Sequence, residues 1–107
     1  MNQSDVLQDL VTIASVNFTP VYYDAKATVE KMSGSVAEAA AQGADLVVFP
    51  EGSLLGCRGC RECAELAGPC DTCIGLAETV PGPSSDALAA LAREHDHRPY
   101  AILSRLA

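Results

Sequence analysis

The apolar and polar positions change period along the chain, and the changes mark its elements. Val11 to Phe18, "VTIASVNF", is rich in β-formers and bounded by the turn signal Thr19-Pro20, which predicts a mostly buried strand. Asp24 stands where a helix cap belongs. From Ala25 to Gln42 the apolar positions Val29, Met32, Val36 and Ala40 recur at steps of three and four, while Lys26, Glu30, Lys31 and Glu38 fall elsewhere on the wheel. Gly43 supplies the left-handed position that ends this helix. Gly34 weakens it by roughly 1 kcal/mol against alanine, which the many alanines offset. Leu46 to Phe49 is a short continuous apolar run, the pattern of a parallel strand covered on both faces. Strand, helix and strand together predict a right-handed βαβ unit and an α/β fold class.

Beyond Gly52 the periodicity lapses. As far as Pro83 the chain reads as a long loop of Gly, Cys and Pro, with one short helix near Glu62 to Leu66. Ser84 or Ser85 can cap a second helix whose Leu88, Leu91, Ala92 and His95 share one stripe, and "YAILS" from Tyr100 predicts a third strand. The reading contains no internal repeat and no low-complexity tract.

Composition narrows the function classes. A chain of 107 residues with 49% hydrophobic residues fits one small domain with a real core. A net charge of -7, spread along the chain, offers no basic stripe for a phosphate backbone, so nucleic acid is excluded as the expected partner. No apolar run approaches the ~20 residues that cross a bilayer, and "MNQSDVLQDL" lacks the features of a secretory leader. The expectation is a soluble, cytoplasmic protein without a membrane partner.

Two features carry candidate chemistry. Pro50 ends strand pairing after Phe49 and gives Glu51 a stiff platform at the strand's carboxyl end, where ligands bind in open α/β sheets. A carboxylate part-buried there among apolar neighbours is a candidate general base; the plainer reading is a strand-end glutamate pointing into water. The second feature is Cys57-x2-Cys60-x2-Cys63-x6-Cys70-x2-Cys73, a Cys-rich loop over residues 57–73. Two C-x-x-C pairs, Cys57 with Cys60 and Cys70 with Cys73, can place four thiolates around Zn²⁺, leaving Cys63 free or exchanging. Unliganded loop thiols and redox or disulfide chemistry are the alternatives. His95 and His97 flank Asp96 near a helix end, where an imidazole ordinarily serves the helix dipole. Tyr22 and Tyr23 either border a substrate mouth or pack on the first helix.

Three segments, "VTIASVNFTPVYYDAKATVEK", "AEAAAQGADLVVFPEGSLLG" and "ETVPGPSSDALAALAREH", together resemble the N-terminal portion of the nitrilase superfamily, the carbon-nitrogen hydrolases. The most specific element is "GADLVVFPE", Gly43 to Glu51; "VPGP", Val80 to Pro83, is a second match. The resemblance covers nearly all of the chain except Cys57 to Cys73. It implies the N-terminal part of an αββα sandwich, residues 1–107 forming a partial hydrolase domain with the Cys-rich loop inserted after the second strand. It also implies a Glu-Lys-Cys mechanism on non-peptide C–N bonds of nitriles or amides, with Glu51 as general base and no required cofactor.

Departures from the pattern shape the remaining expectations. Lys26 and Lys31, the only lysines, fall on the first helix as a solvated face, and none of the five cysteines follows an apolar strand as the family's nucleophile does. The chain is therefore expected to be a fragment or truncated relative, inactive alone, with an uncovered sheet face that favours self-association or a homo-oligomer. The competing class is a non-enzymatic binding module whose Cys-rich loop holds a metal or a partner.

Overall fold

The computed structural model of the chain describes residues 10–95 and 101–103. Residues 1–9, 96–100 and 104–107, which include Asp96, His97, Tyr100 and Ser104, lie outside the described residues. Three short parallel strands form one sheet in the order β1 (Ile13–Ser15), β2 (Leu46–Val48), β3 (Ala101–Leu103). Ala14 pairs with Val47, which in turn pairs with Ile102. The register of the first pair is pinned at its entry, where the Asp45 carboxylate accepts from the Thr12 amide at 3.0 Å and the Asp45 amide donates to the Thr12 carbonyl at 2.8 Å.

Helix α1 (Ala25–Ala41) joins β1 to β2 and forms where the pattern predicts it. Asp24 Oδ1 accepts from the Ala27 amide at 3.0 Å, satisfying one of the amides that a helix start leaves without a partner. Gly43 adopts φ +86 just past the helix end, a conformation other residues reach only with strain. The buried stripe is Thr28, Met32, Val36 and Ala39, one position off the predicted Val29 and Ala40, which are only half-buried. Thr28 lies on this stripe because its hydroxyl is used twice: it accepts from the Val21 amide at 3.1 Å and donates to the Val21 carbonyl at 3.0 Å. This clip fixes the β1–α1 loop against the helix. Lys31 is indeed on the exposed side, donating to the Thr19 carbonyl with its ammonium 5.9 Å from the centre of the Phe18 ring.

Helix α4 (Pro83–Glu94) packs on α1 and on β3. Its cap is Gly82, and Ser85 Oγ accepts from the Gly82 amide at 2.8 Å. Ser84, predicted as a cap, is instead tied to the Glu78 carboxylate through its amide, at 2.8 Å, and its hydroxyl. The core is one cluster of Met32, Val36 and Ala39 from α1, Ala44, Val47 and Phe49 from β2 and its flanks, Leu54, and Leu88 and Leu91 from α4. Phe18 meets Phe49 edge-on at 5.3 Å between ring centres, a favoured aromatic geometry.

Two expectations about burial are corrected. β1 is an edge strand, and alternation sends only Ala14, Val16 and Phe18 toward the core, while Val11 and Ile13 are 61% and 58% exposed. In β2, Val47 is fully buried but Leu46 and Val48 are only half-covered. The third correction concerns the stretch read as a long loop. The short helix expected near Glu62 to Leu66 is present as α2 (Arg61–Leu66), and the stretch also contains a 3₁₀ turn (Cys57–Gly59) and helix α3 (Asp71–Leu76), which were not expected. Among the described residues, no helix is long and apolar enough to cross a membrane.

Candidate functional site

Glu51 stands where the sequence puts it, three residues past Val48 at the carboxyl end of the central strand. Pro50 and a run of turns follow the strand, with Gly52 at φ +72 reversing the chain and the Ser53 hydroxyl donating back to the Pro50 carbonyl. Phe49 and Leu54 on either side turn inward and are buried. Glu51 itself is exposed, not part-buried as expected, because those two neighbours fill the apolar volume beside it. The β1–α1 loop arrives at the same edge: the Tyr23 amide donates to the Leu55 carbonyl at 3.0 Å. Two loops thus converge at the carboxyl ends of parallel strands, the usual ligand position in such sheets. Lys31, held on α1, donates to the Thr19 carbonyl.

A second constellation follows directly. The sulfurs of Cys60, Cys63, Cys70 and Cys73 all lie within 4.8 Å of one another. Cys60 Sγ is 3.8 Å from Cys70 Sγ, and Cys63 Sγ is 3.6 Å from Cys73 Sγ. All five cysteines are free thiols. Membership differs from the sequence expectation: Cys63 is in the group and Cys57 is not. The three cysteines Cys57, Cys60 and Cys63 are equally spaced, so spacing could not choose between them. The backbone does, because Cys57 begins the 3₁₀ turn and packs half-buried on the outside, whereas Cys60 and Cys63 begin α2 as Cys70 and Cys73 begin α3. A signal was present in the repeat Cys60-x2-Cys63-x2-Leu66 and Cys70-x2-Cys73-x2-Leu76, which singles out these four positions.

Polar donors surround the sulfurs. The Cys70 amide donates to Cys63 Sγ at 3.3 Å, the Cys73 amide to Cys70 Sγ at 3.4 Å, and the Tyr23 hydroxyl to Cys60 Sγ at 3.1 Å. The Tyr23 hydroxyl, helped by the Cys63 amide, holds the Cys60 thiol down at about 6, well below the ordinary thiol range. That same hydrogen bond, with burial, pushes the Tyr23 phenol up to about 12. Burial raises Cys73, reinforced by its hydrogen bonds with Cys63 and Cys57. At Cys63 the Cys70 amide pulls downward, but burial and the neighbouring Cys60 and Cys70 thiols leave the group raised. Four convergent sulfurs of this kind can hold a metal ion.

The tyrosines join the two constellations. Tyr22 lies over the backbone of the 3₁₀ turn: a Cβ on Gly56 would stand 1.9 Å from its Cδ1, and one on Gly59 2.3 Å from its hydroxyl. Only glycine leaves room for the ring there. His95 is half-buried at the C-cap of α4, away from both groups in the chain's hydrogen bonding.

Parallel strands with flanking helices, and loops converging at the strands' carboxyl ends, define a small α/β fold. The sequence matches the carbon-nitrogen hydrolase family over residues 12–98, and the chain belongs to that family, within the nitrilase superfamily. The match spans β1, α1, β2, the cysteine insert and α4. A search of curated proteins finds no match.

Proposed function

We propose that this chain is the N-terminal region of a cytoplasmic carbon-nitrogen hydrolase, an αββα sandwich that cleaves a nitrile or amide C–N bond with Glu51 as general base. The observation that carries this reading is Glu51 itself, at the carboxyl end of the central parallel strand and inside the family match. In this mechanism Glu51 takes the proton of a cysteine thiol, the thiolate attacks the substrate carbon, and a lysine ammonium stabilises the tetrahedral intermediate. Ammonia or an amine leaves, and water releases the acid and restores the thiol. The lysine and the nucleophilic cysteine are not matched among these 107 residues. Alone, then, the chain is inactive.

The exposed side of β1, with Val11 and Ile13, suits cover by a second sheet or a second copy, which also favours self-association. The exposure of Glu51 fits the same reading, since a covering layer would close over it. The test is ammonia release from a panel of nitriles and amides by protein carrying the family's lysine and cysteine. Glu51→Gln should lower kcat by ~10²–10⁴-fold while KM changes little. Retention of full kcat by that variant would remove Glu51 from the mechanism.

A further inference from the structure

We infer that Cys60, Cys63, Cys70 and Cys73 bind one zinc ion, which serves as the core of the insert formed by α2 and α3. The inference stands apart from the hydrolase reading, because metal content is measured without turnover.

Size comes first. Zinc bound by thiolates at about 2.3 Å in a tetrahedron sets its sulfurs about 3.8 Å apart. The Cys60–Cys70 and Cys63–Cys73 separations are 3.8 and 3.6 Å, and no pair in the group exceeds 4.8 Å. An iron-sulfur cluster interposes sulfide and several irons, so it spreads its thiolates wider than a single ion does. Two separate disulfides would divide the sulfurs into two pairs, whereas here all four are mutual neighbours.

What the insert lacks is equally informative. Its buried cluster consists of these four cysteines, with Cys57 beside them. The apolar side chains that could have made a conventional core face outward, Leu66 at 61%, Ile74 at 56% and Leu76 at 39% exposure. Helices of six residues are too short to hold themselves in water. Four thiols alone bury too little apolar surface to order two such helices, and small units of this kind ordinarily depend on a metal.

The surroundings fit the charge of the product. Binding releases the thiol protons and leaves four thiolates around a divalent ion, an excess of negative charge. The Cys70 and Cys73 amides and the Tyr23 hydroxyl already donate to these sulfurs. Such donors hold ligands in orientation and disperse their charge. Four protein ligands also close the site, so the ion is structural and leaves no position for substrate.

The experiment is elemental analysis of the full chain purified without a histidine tag, combined with thiol titration. About one zinc per chain is expected, with Cys57→Ser retaining it and Cys63→Ser losing it, the reverse of what simple pairing of Cys57 with Cys60 would give. Should Cys63→Ser fail to fold, cobalt substitution decides on the unaltered chain and on Cys57→Ser, both of which should show the same absorption of a tetrahedral four-thiolate site. Protein free of zinc with all its thiols titratable overturns the inference. So does iron with acid-labile sulfide, zinc-free protein in which only Cys57 titrates after denaturation, as two disulfides would leave it, or loss of zinc from folded Cys57→Ser.

Discussion

The Tyr23 hydroxyl reaches Cys60 Sγ at 3.1 Å across 37 residues of sequence. It is a side-chain bond between the β1–α1 loop and the cysteine insert, and it depends on an uncommon backbone. Tyr23 sits at φ +63, a left-handed conformation that non-glycine residues adopt only when surrounding contacts hold them there. The Tyr23 amide bond to Leu55 and the Thr28 clip on Val21 supply those contacts. The hydrolase scaffold therefore holds a donor at the insert's sulfur cluster.

Tyr23→Phe tests that link with little change of shape. The ring and backbone stay, and only the O–H donated to Cys60 is lost. Removing an outer donor of this type typically lowers metal affinity by ~10–100-fold. Competition of the zinc-loaded protein with a chromogenic chelator should show a drop in that range, with far-ultraviolet circular dichroism unchanged. Unchanged affinity would mean that the tyrosine merely packs beside the cluster.

Gly56 makes a second link, through space instead of a hydrogen bond. Its φ of +75 and the Tyr22 ring both demand glycine, whereas Gly43, at φ +86, has open space where a Cβ would stand. Gly43→Ala should cost about 1–2 kcal/mol for the left-handed backbone alone. Gly56→Ala should cost that plus about 1–3 kcal/mol for overlap with the ring. Urea unfolding midpoints measure both, and adding Tyr22→Ala to Gly56→Ala should return part of the difference. Equal losses at the two glycines would show that the ring swings aside without resistance.

Helix α1 was legible because three independent signals agree on it: the Asp24 cap, the apolar stripe and Gly43 past its end. The position of Glu51 was legible for a similar reason, since an apolar run closed by proline can end in only one place. Burial was harder to read. Whether Ile13 is covered depends on which layer lies against β1, and whether Glu51 is covered depends on the path of the turn after Pro50; neither is written in local pattern. Of the two insert helices, α2 was expected near Glu62 to Leu66, whereas α3 escaped notice because six residues make less than two turns, too few for a 3.6-residue period to stand out. The choice of Cys63 over Cys57 was set by where the 3₁₀ turn ends and α2 begins, a backbone event hidden by identical spacings.

Removing the metal should divide the chain into two stability regions. The hydrophobic cluster around Met32, Val36 and Val47 shares no member with the sulfur cluster of the insert, so the two are separate cores joined by few bonds. An ion that binds only the folded insert stabilises it by mass action, and at a free concentration one hundred times Kd its withdrawal lowers protection about a hundredfold. Hydrogen exchange before and after chelation should therefore show that loss at the amides of Cys63, Cys70 and Cys73, with the core amides of Met32 and Val36 nearly unchanged. Between the two regions lie the bonds from the Tyr23 amide to Leu55 and from the Gly56 and Cys57 amides to the Gly52 carbonyl. These should loosen to an intermediate degree, because they hold the turn that begins at Glu51 against the insert. A uniform loss of protection across α1 and the insert would show a single cooperative unit, and no loss anywhere would show that the thiols order the insert without an ion.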